Sequence, residues 1–172
     1  MRRILLIGAT AALLVLPAAA SAGAAGRPSH GFLVVRNASG GGPNGHPVVT
    51  LVLQGFVVGR VSQKAEARID IYHLPGAGAP AAHGFDVSSR LIRWRGHAGV
   101  EFRGSGFRFR AIGGWYRVVV RGSGVYLFAG GHGNVELHGS SFNQGGDGSY
   151  SLNGRRSRSL PTLPVKLPLG RS

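Results

Sequence analysis

Short runs of alternating apolar and polar residues, separated by glycine, fill the sequence beyond residue 30. Alternation with a period of two is typical of a β-strand with one buried face. Gly, Ser, Asn and Pro between the runs mark turns. No segment beyond the N-terminal region has a helical period, so the sequence predicts an all-β fold. The predicted strands are 31–37, 48–54, 56–61, 66–73, 89–95, 99–103, 106–112, 115–121, 124–129, 133–138 and 148–152.

An internal repeat suggests how these strands are arranged. The segment 103–107 (RGSGF) recurs 18 residues further on as 121–125 (RGSGV). Gly-Ser-Gly between two alternating runs is typical of a hairpin turn, because glycine tolerates the positive φ angles of such turns. The predicted architecture is therefore an antiparallel meander forming a sandwich or barrel. One coil of a β-solenoid has a period near this length, and a solenoid is the alternative.

Length and composition exclude several classes of protein. A chain of 172 residues predicts one domain. The absence of cysteine excludes disulfide frameworks and thiolate metal sites. The 30 glycines follow no collagen period.

The N-terminus has the pattern of a secretory signal peptide, predicted over 1–22. Arg2 and Arg3 precede an apolar run over 4–16, and Ala20-Ser21-Ala22 provides small residues for cleavage. The apolar run is shorter than the roughly 20 residues that span a bilayer. We therefore expect a secreted, extracellular or cell-envelope protein with no transmembrane segment after cleavage.

The rest of the chain divides by composition. The segment 23–30 is a predicted linker, and 31–152 is a single β domain with a mobile, Gly/Pro-containing loop at 74–88. The segment 153–172 is a predicted C-terminal tail rich in proline and arginine.

The chain is strongly cationic, with Lys+Arg 20 against Asp+Glu 6 and a net charge of +14. Lys64 and Lys166 are the two lysines, so arginine carries nearly all of the positive charge. Guanidinium groups bind carboxylates and phosphates with two parallel hydrogen bonds. A high arginine content also arises from GC-rich coding. Composition alone therefore does not show whether the arginines have a function.

Alternation predicts where these arginines point. Successive side chains on a strand face opposite sides, so Arg108 and Arg110 oppose Phe107 and Phe109. If neighbouring runs pair, one face of the sheet is an apolar core and the other is an arginine array, opposed by Glu101. The predicted polyanion-binding residues are Arg93, Arg95, Arg103, Arg108, Arg110, Arg117 and Arg121.

The function predicted from this face is a non-enzymatic envelope or extracellular module that binds anionic polysaccharide, teichoic acid or another envelope polyanion. The alternative is a structural or protein-interaction domain whose arginine face is merely solvated. Nucleic acid is disfavoured because the aromatic residues alternate away from the arginines. The aromatic residues predicted to pack in the core are Trp94, Phe102, Phe107, Phe109 and Tyr116, with Trp115 predicted to be exposed.

Other chemistry has little support in the sequence. His132, Glu136 and His138 share one parity and are weak candidate metal ligands, although an exposed polar face is the default interpretation. The six acidic residues are scattered and suggest no pair of carboxyls at one substrate. We therefore predict no cofactor, no catalytic residues and no enzyme, with a secreted hydrolase as the remaining enzymatic alternative.

Five segments carry a resemblance to a known group of proteins. They are 108–110 (RFR), 113–120 (GGWYRVVV), 124–127 (GVYL), 133–137 (GNVEL) and 149–154 (SYSLNG). Across 106–154 the chain resembles small exported proteins of Actinobacteria, and it departs from them at 128–132 (FAGGH), where they usually carry a small-residue, Val-Gly type segment. Those proteins have no known activity, so the resemblance implies export and supplies no reaction.

Overall fold

The computed structural model describes residues 30–40, 46–75, 83–84, 88–140 and 147–170. Every regular element in these ranges is a β-strand, so the all-β prediction is confirmed. The described part of the chain has no helix that could cross a membrane. The predicted signal peptide 1–22 lies outside the described residues, as does the predicted linker up to residue 29.

The described residues form ten strands. They are β1 (Gly31–Gly40), β2 (Val49–Val61), β3 (Ala67–His73), β4 (His83–Gly84), β5 (Ser88–Trp94), β6 (His97–Gly104), β7 (Arg108–Leu137), β8 (Ser149–Leu152), β9 (Arg158–Ser159) and β10 (Val165–Leu169).

All ten strands belong to one large sheet. The path of paired strands runs β5-β6-β3-β7-β1-β8-β9, and β2, β4 and β10 pair with β7 beside this path. Within the described ranges the path ends at β5 and β9, so the strands do not form a ring closed into a barrel. The sheet encloses one hydrophobic core, which agrees with the sandwich form of the prediction.

The long strand β7 lies on both edges of β2. Val49 is the register partner of both Val120 and Leu137, and partner numbers on β7 fall as those on β2 rise, which is the antiparallel sense. Just before β2, the Val48 amide donates to the carbonyl of Val120 (N–O 2.8 Å), and the Val48 carbonyl accepts from the amide of His138 (3.0 Å). Both edges of β2 are therefore hydrogen-bonded to the same strand.

Six predicted strands merge into these two. The predicted runs 48–54 and 56–61 are parts of β2, and β7 joins 106–112, 115–121, 124–129 and 133–138. The sequence predicts breaks at glycines that in the structure lie inside continuous strands. At Gly113, φ is +74° and the register with β2 skips one residue, which is a β-bulge rather than a turn.

The 18-residue repeat corresponds to two passes of the chain on either side of β2. The Ser62 carbonyl accepts from the amide of Gly106 (3.1 Å), and the Ser62 amide donates to the carbonyl of Gly124 (3.0 Å). These two glycines hold equivalent places in the two copies of the repeat. The hairpin interpretation is wrong at both copies, because β6 pairs with β3 and β5 and the second copy continues within β7.

The inward side chains of the strands form the core. Burial alternates along β2, where Val49, Leu51 and Leu53 are fully buried and the residues between them are only partly buried. The same alternation holds in β7, with a change of parity at the Gly113 bulge and a second one between Gly124 and Val125. The largest fully buried side chains are Tyr116, Phe107, Leu33, Leu51, Leu53, Ile69, Ile71, Leu137 and Leu169.

A row of glycines crosses four neighbouring strand segments. In register order, the row is Gly114, Gly55, Gly131 and Gly31. Gly55 and Gly131 adopt φ angles of 151° and 143°, and a Cβ on either would overlap a backbone carbonyl oxygen of the facing segment. Glycines inside strands mark such close approaches and tight bends.

The C-terminal segment predicted as a tail supplies two strands of the sheet. β9 pairs with β8, and β10 pairs with the end of β7. Leu160 and Leu169 are buried in the core. Within the predicted loop 74–88, β4 pairs with β7 and β5 begins at Ser88, while 76–82 and 85–87 lie outside the described residues.

The glycine row predicts a difference between two alanine variants. We expect Gly131→Ala to lower the free energy of unfolding by about 3 kcal/mol, since it adds a backbone clash to a disfavoured φ. Gly113→Ala carries only the φ penalty, because nothing lies within 4 Å of its added Cβ, and should cost about 1 kcal/mol. Urea denaturation measures both. Equal losses would contradict the close approach at Gly131.

Candidate anion-binding surface

The seven arginines predicted to bind polyanions do not share one free face. Arg121 Nη1 lies 2.8 Å from Asp70 Oδ2, and Arg103 Nε lies 3.4 Å from Glu66 Oε1. Arg117 is half-buried against an aromatic ring. The remaining candidates are exposed and form no ion pair with any described residue: Arg93, Arg95, Arg108 and Arg110.

The face predicted for β5 is wrong in one respect. The sequence predicts that Trp94 packs in the core, but Trp94 lies on the outer face, where the ring contacts the guanidinium groups of two arginines. Arg95 follows the strand in a turn, with φ +47°. The reason is that β5 ends the sheet path, beyond the core, so neither of its faces is fully covered; Leu91 is 86% exposed.

Two carboxylates are buried beneath the arginines on the outer face of β3 and β6. Asp70 and Glu101 are direct register partners and are only 2% and 5% exposed. Like charges directly opposite each other are destabilising. Arg68 bridges them, with Nε 2.9 Å from Asp70 Oδ1 and Nη2 2.8 Å from Glu101 Oε2. Arg90 forms a second ion pair with Glu101 at 2.9 Å, and Arg121 forms a second ion pair with Asp70 at 2.8 Å.

This buried ion cluster, formed by Arg68, Asp70, Arg90, Glu101 and Arg121, uses three arginines to neutralise two acids. The hydrogen bond to Asp70 raises the pKa of Arg68 above its ordinary value. Buried ion pairs are costly to break, because removing one partner leaves the other charge uncompensated. The cluster is therefore a structural element, in which the half-buried Arg68 and Arg121 neutralise buried acids.

Arg117 takes part in a different contact. Its guanidinium lies 4.0 Å from the ring centroid of Trp94, and that of Arg95 lies 5.0 Å from the same ring. Burial lowers the pKa of Arg117 and raises the pKa of Tyr72, its register partner on β3. Cation–π contact with a tryptophan holds a partly desolvated arginine in place.

The two exposed arginines at the start of β7, Arg108 and Arg110, lie next to β2. Arg60 on β2 is the register partner of both Arg108 and Tyr126, so the three side chains form one row across three strand segments. The guanidinium of Arg60 lies 4.7 Å from the ring centroid of Tyr126. The next outward position on β7 is Arg110, the partner of Val58.

Two adjoining cavities share the row Arg60, Arg108 and Tyr126. One has a volume of about 430 Å³ and includes Lys64, and the other has a volume of about 560 Å³ and includes Arg36. None of the described residues lining either cavity is acidic. We call Arg36, Arg60, Lys64 and Arg108, with Tyr126, the cationic groove. The sequence-based prediction misses Arg60 because it divides β2 at Gly55 and does not follow the alternation into the second half; it also misses Arg36, which lies on β1.

The three candidate metal ligands do not converge. His132 and Glu136 lie four residues apart on β7, which is about 13 Å along an extended strand. Glu136 Oε2 faces Lys166 Nζ at 3.8 Å, and His138 stacks on His46 with ring centroids 3.8 Å apart. In the described ranges no group of three or more His, Asp or Glu residues is placed to hold a metal ion.

Most of the aromatic residues predicted for the core are there. Phe102, Phe107, Phe109 and Tyr116 are buried, as the alternation predicts, and Trp115 is exposed, as expected for a residue beside Gly113 and Gly114. The sequence missed three other rings, which lie on the outer face: Phe32, Phe56 and Phe128. Continuing the alternation of β2 through Gly55 would have found Phe56, because Gly55 and Gly131 pair without a break in register.

Comparison with family models, with curated proteins and with solved structures finds no match to this chain. The resemblance to exported actinobacterial proteins therefore stays a prediction.

The buried ion cluster predicts unequal costs for removing two acids. We expect Asp70→Asn to lower the free energy of unfolding by about 3 kcal/mol, because Arg68 and Arg121 lose a buried counter-ion. The matched control is Glu66→Gln, which breaks an exposed pair with Arg103 and should cost less than about 1 kcal/mol. Urea unfolding of both variants tests this, and equal costs would show that the cluster is not a structural element.

Proposed function

We propose that this protein is an exported, non-enzymatic module that binds anionic polymers of the cell envelope, such as teichoic acid or acidic polysaccharide, at the cationic groove. The observation that supports this most is the row of Arg60 and Arg108, two neighbouring guanidiniums on paired strands, in cavities whose described lining has no acid. The pattern of residues 1–22 supports export.

The distribution of the acids supports the groove over the rest of the arginine face. Asp70 and Glu101 draw three arginines into the buried ion cluster, and Glu66 faces Arg103. The arginines of the groove have no such partner among the described residues. A repeating anion needs several unneutralised cations close together, because each contact exchanges water and counter-ions for a charge-assisted hydrogen bond.

The spacing of the groove suits a chain with regularly placed anions. Facing residues on paired strands lie about 4.5–5.5 Å apart at their Cα atoms. Arg60 and Arg108 can therefore hold one phosphate or carboxylate together or two in succession. Arg36 lies beyond Tyr126, and Lys64 extends the positive lining at the other side.

Binding of a soluble teichoic acid across a series of salt concentrations tests this function. We expect an affinity that falls as salt rises, because exposed charges are screened. The double variant R60A/R108A should bind at least about tenfold more weakly at low salt, since it removes two charge-assisted contacts. Calorimetry or anisotropy with labelled polymer gives the dissociation constants.

The control is R93A/R156A, which removes the same charge from two exposed and separated positions. We expect this variant to bind almost as well as the unmodified chain. If both double variants weaken binding equally, overall charge rather than the groove is responsible. If the unmodified chain does not bind at low salt, the proposal is wrong.

A further inference from the structure

An apolar patch lies on the outer face of the sheet, beside the cationic groove. β1, β2 and both halves of β7 contribute to it, at positions where alternation would place polar side chains. We call it the apolar patch, and its members are Phe32, Val34, Phe56, Val58, Ile112 and Phe128. Contiguous exposed apolar surface on a soluble domain marks a place of interaction.

Phe128 is at the centre of the apolar patch. Its ring is nearly parallel to that of Phe32, at 6.0 Å between centroids and 8° between planes, and it meets Phe56 at 5.3 Å. Phe32, Phe128 and Ile112 are 45%, 38% and 47% exposed. The rings hold one another in place through aromatic contacts while still facing solvent.

The apolar patch and the cationic groove are continuous. The cavity of about 560 Å³ is lined by Val34, Val58 and Phe128 from the patch and also by Arg60 and Arg108 from the groove. A single ligand can therefore contact guanidinium groups and phenyl rings at the same time.

This combination restricts the chemistry of the occupant. A purely polar polyanion would leave the rings exposed, and a purely apolar ligand would leave the guanidiniums without counter-ions. A bilayer surface with anionic lipids satisfies both, because phosphates lie at the level of the head groups and acyl chains begin a few ångströms deeper. The cationic groove also determines how the protein is oriented on the bilayer, because its arginines lie at the level of the head groups.

We propose that the apolar patch and the cationic groove together dock this protein on a membrane surface that contains anionic phospholipid. Arg36, Arg60 and Arg108 contact lipid phosphates, and Phe128 and Phe56 enter the boundary between head groups and acyl chains. The inference rests on the groove of the proposed function, but the patch is a separate observation and is tested separately.

Co-sedimentation with vesicles provides the test. The probes are phosphatidylcholine vesicles with and without phosphatidylglycerol. We expect the full chain to bind more tightly when phosphatidylglycerol is present. F56S/F128S should bind the anionic vesicles at least about tenfold more weakly, because two rings no longer leave water on binding.

The matched control is L91S/L163S, which replaces two exposed apolar residues elsewhere on the surface. All variants keep the same residues 1–29, so that segment contributes equally to each. We expect the control to bind the vesicles like the unmodified chain. Equal binding by F56S/F128S and the unmodified chain would overturn the inference, as would equal weakening in the control.

Soluble teichoic acid without a lipid separates this inference from the proposed function. F56S/F128S should bind that polymer normally, whereas R60A/R108A should lose both ligands. If F56S/F128S is unaffected on vesicles while R60A/R108A loses the polymer, the groove binds anions and the membrane inference fails. If F56S/F128S loses the polymer as well, the patch is not specific for lipid and the inference also fails.

Tryptophan fluorescence gives an independent readout. Trp115 is exposed and lies beside Ile112 across the Gly113 bulge. In the W94F variant, Trp115 is the remaining tryptophan. Its emission should shift to shorter wavelength on anionic vesicles, because the indole leaves water. An unchanged emission spectrum with bound vesicles would contradict this orientation on the membrane.

Discussion

The double pairing of β2 with β7 is the constraint on which the rest of the structure depends. A buried backbone amide or carbonyl without a partner is costly, and β2 satisfies its groups by bonding to β7 on either edge. For one strand to reach both edges, the chain must pass from the start of β2, where Val120 pairs with Val49, to its end, where Val125 pairs with Val61. The sheet must therefore curve strongly, and the glycine row through Gly55 and Gly131 gives the room for close backbone approach.

The same pairing creates the outer surface. It places Arg60 between Arg108 and Tyr126, residues that are 18 apart in sequence, and it places Phe56 between the two halves of β7. Charge then divides the arginines into two groups. Those near Asp70 and Glu101 form ion pairs within the fold, and those near Tyr126 have no acidic partner among the described residues. The proposed binding surface is thus a consequence of which strands carry the acids, rather than of net charge alone.

Local alternation predicts much of this from the sequence. It correctly assigns the all-β class, the buried Phe107, Phe109 and Tyr116, and the outward Arg108 and Arg110.

Alternation fails where the position or pairing of a residue depends on a segment that is distant in the sequence. Glycine is locally the same in a turn and in a bulge, so Gly113 and Gly124 predict breaks inside what is one strand. The neutralisation of Arg121 by Asp70, 51 residues away, needs the register of β3 against β7. Arg60 and Phe56 are missed because one predicted strand ends before Gly55 and another begins after it, although the alternation of β2 continues through this residue.

Amide hydrogen exchange along β2 tests the central claim most directly. In a strand paired on one edge, alternate amides point away from the partner and exchange quickly. Because β7 lies on both edges, we expect the amides from Val49 to Val61 to be protected without alternation, as strongly as those of the central part of β7. Alternating fast and slow exchange along β2 would mean that only one edge is paired, and it would contradict the account.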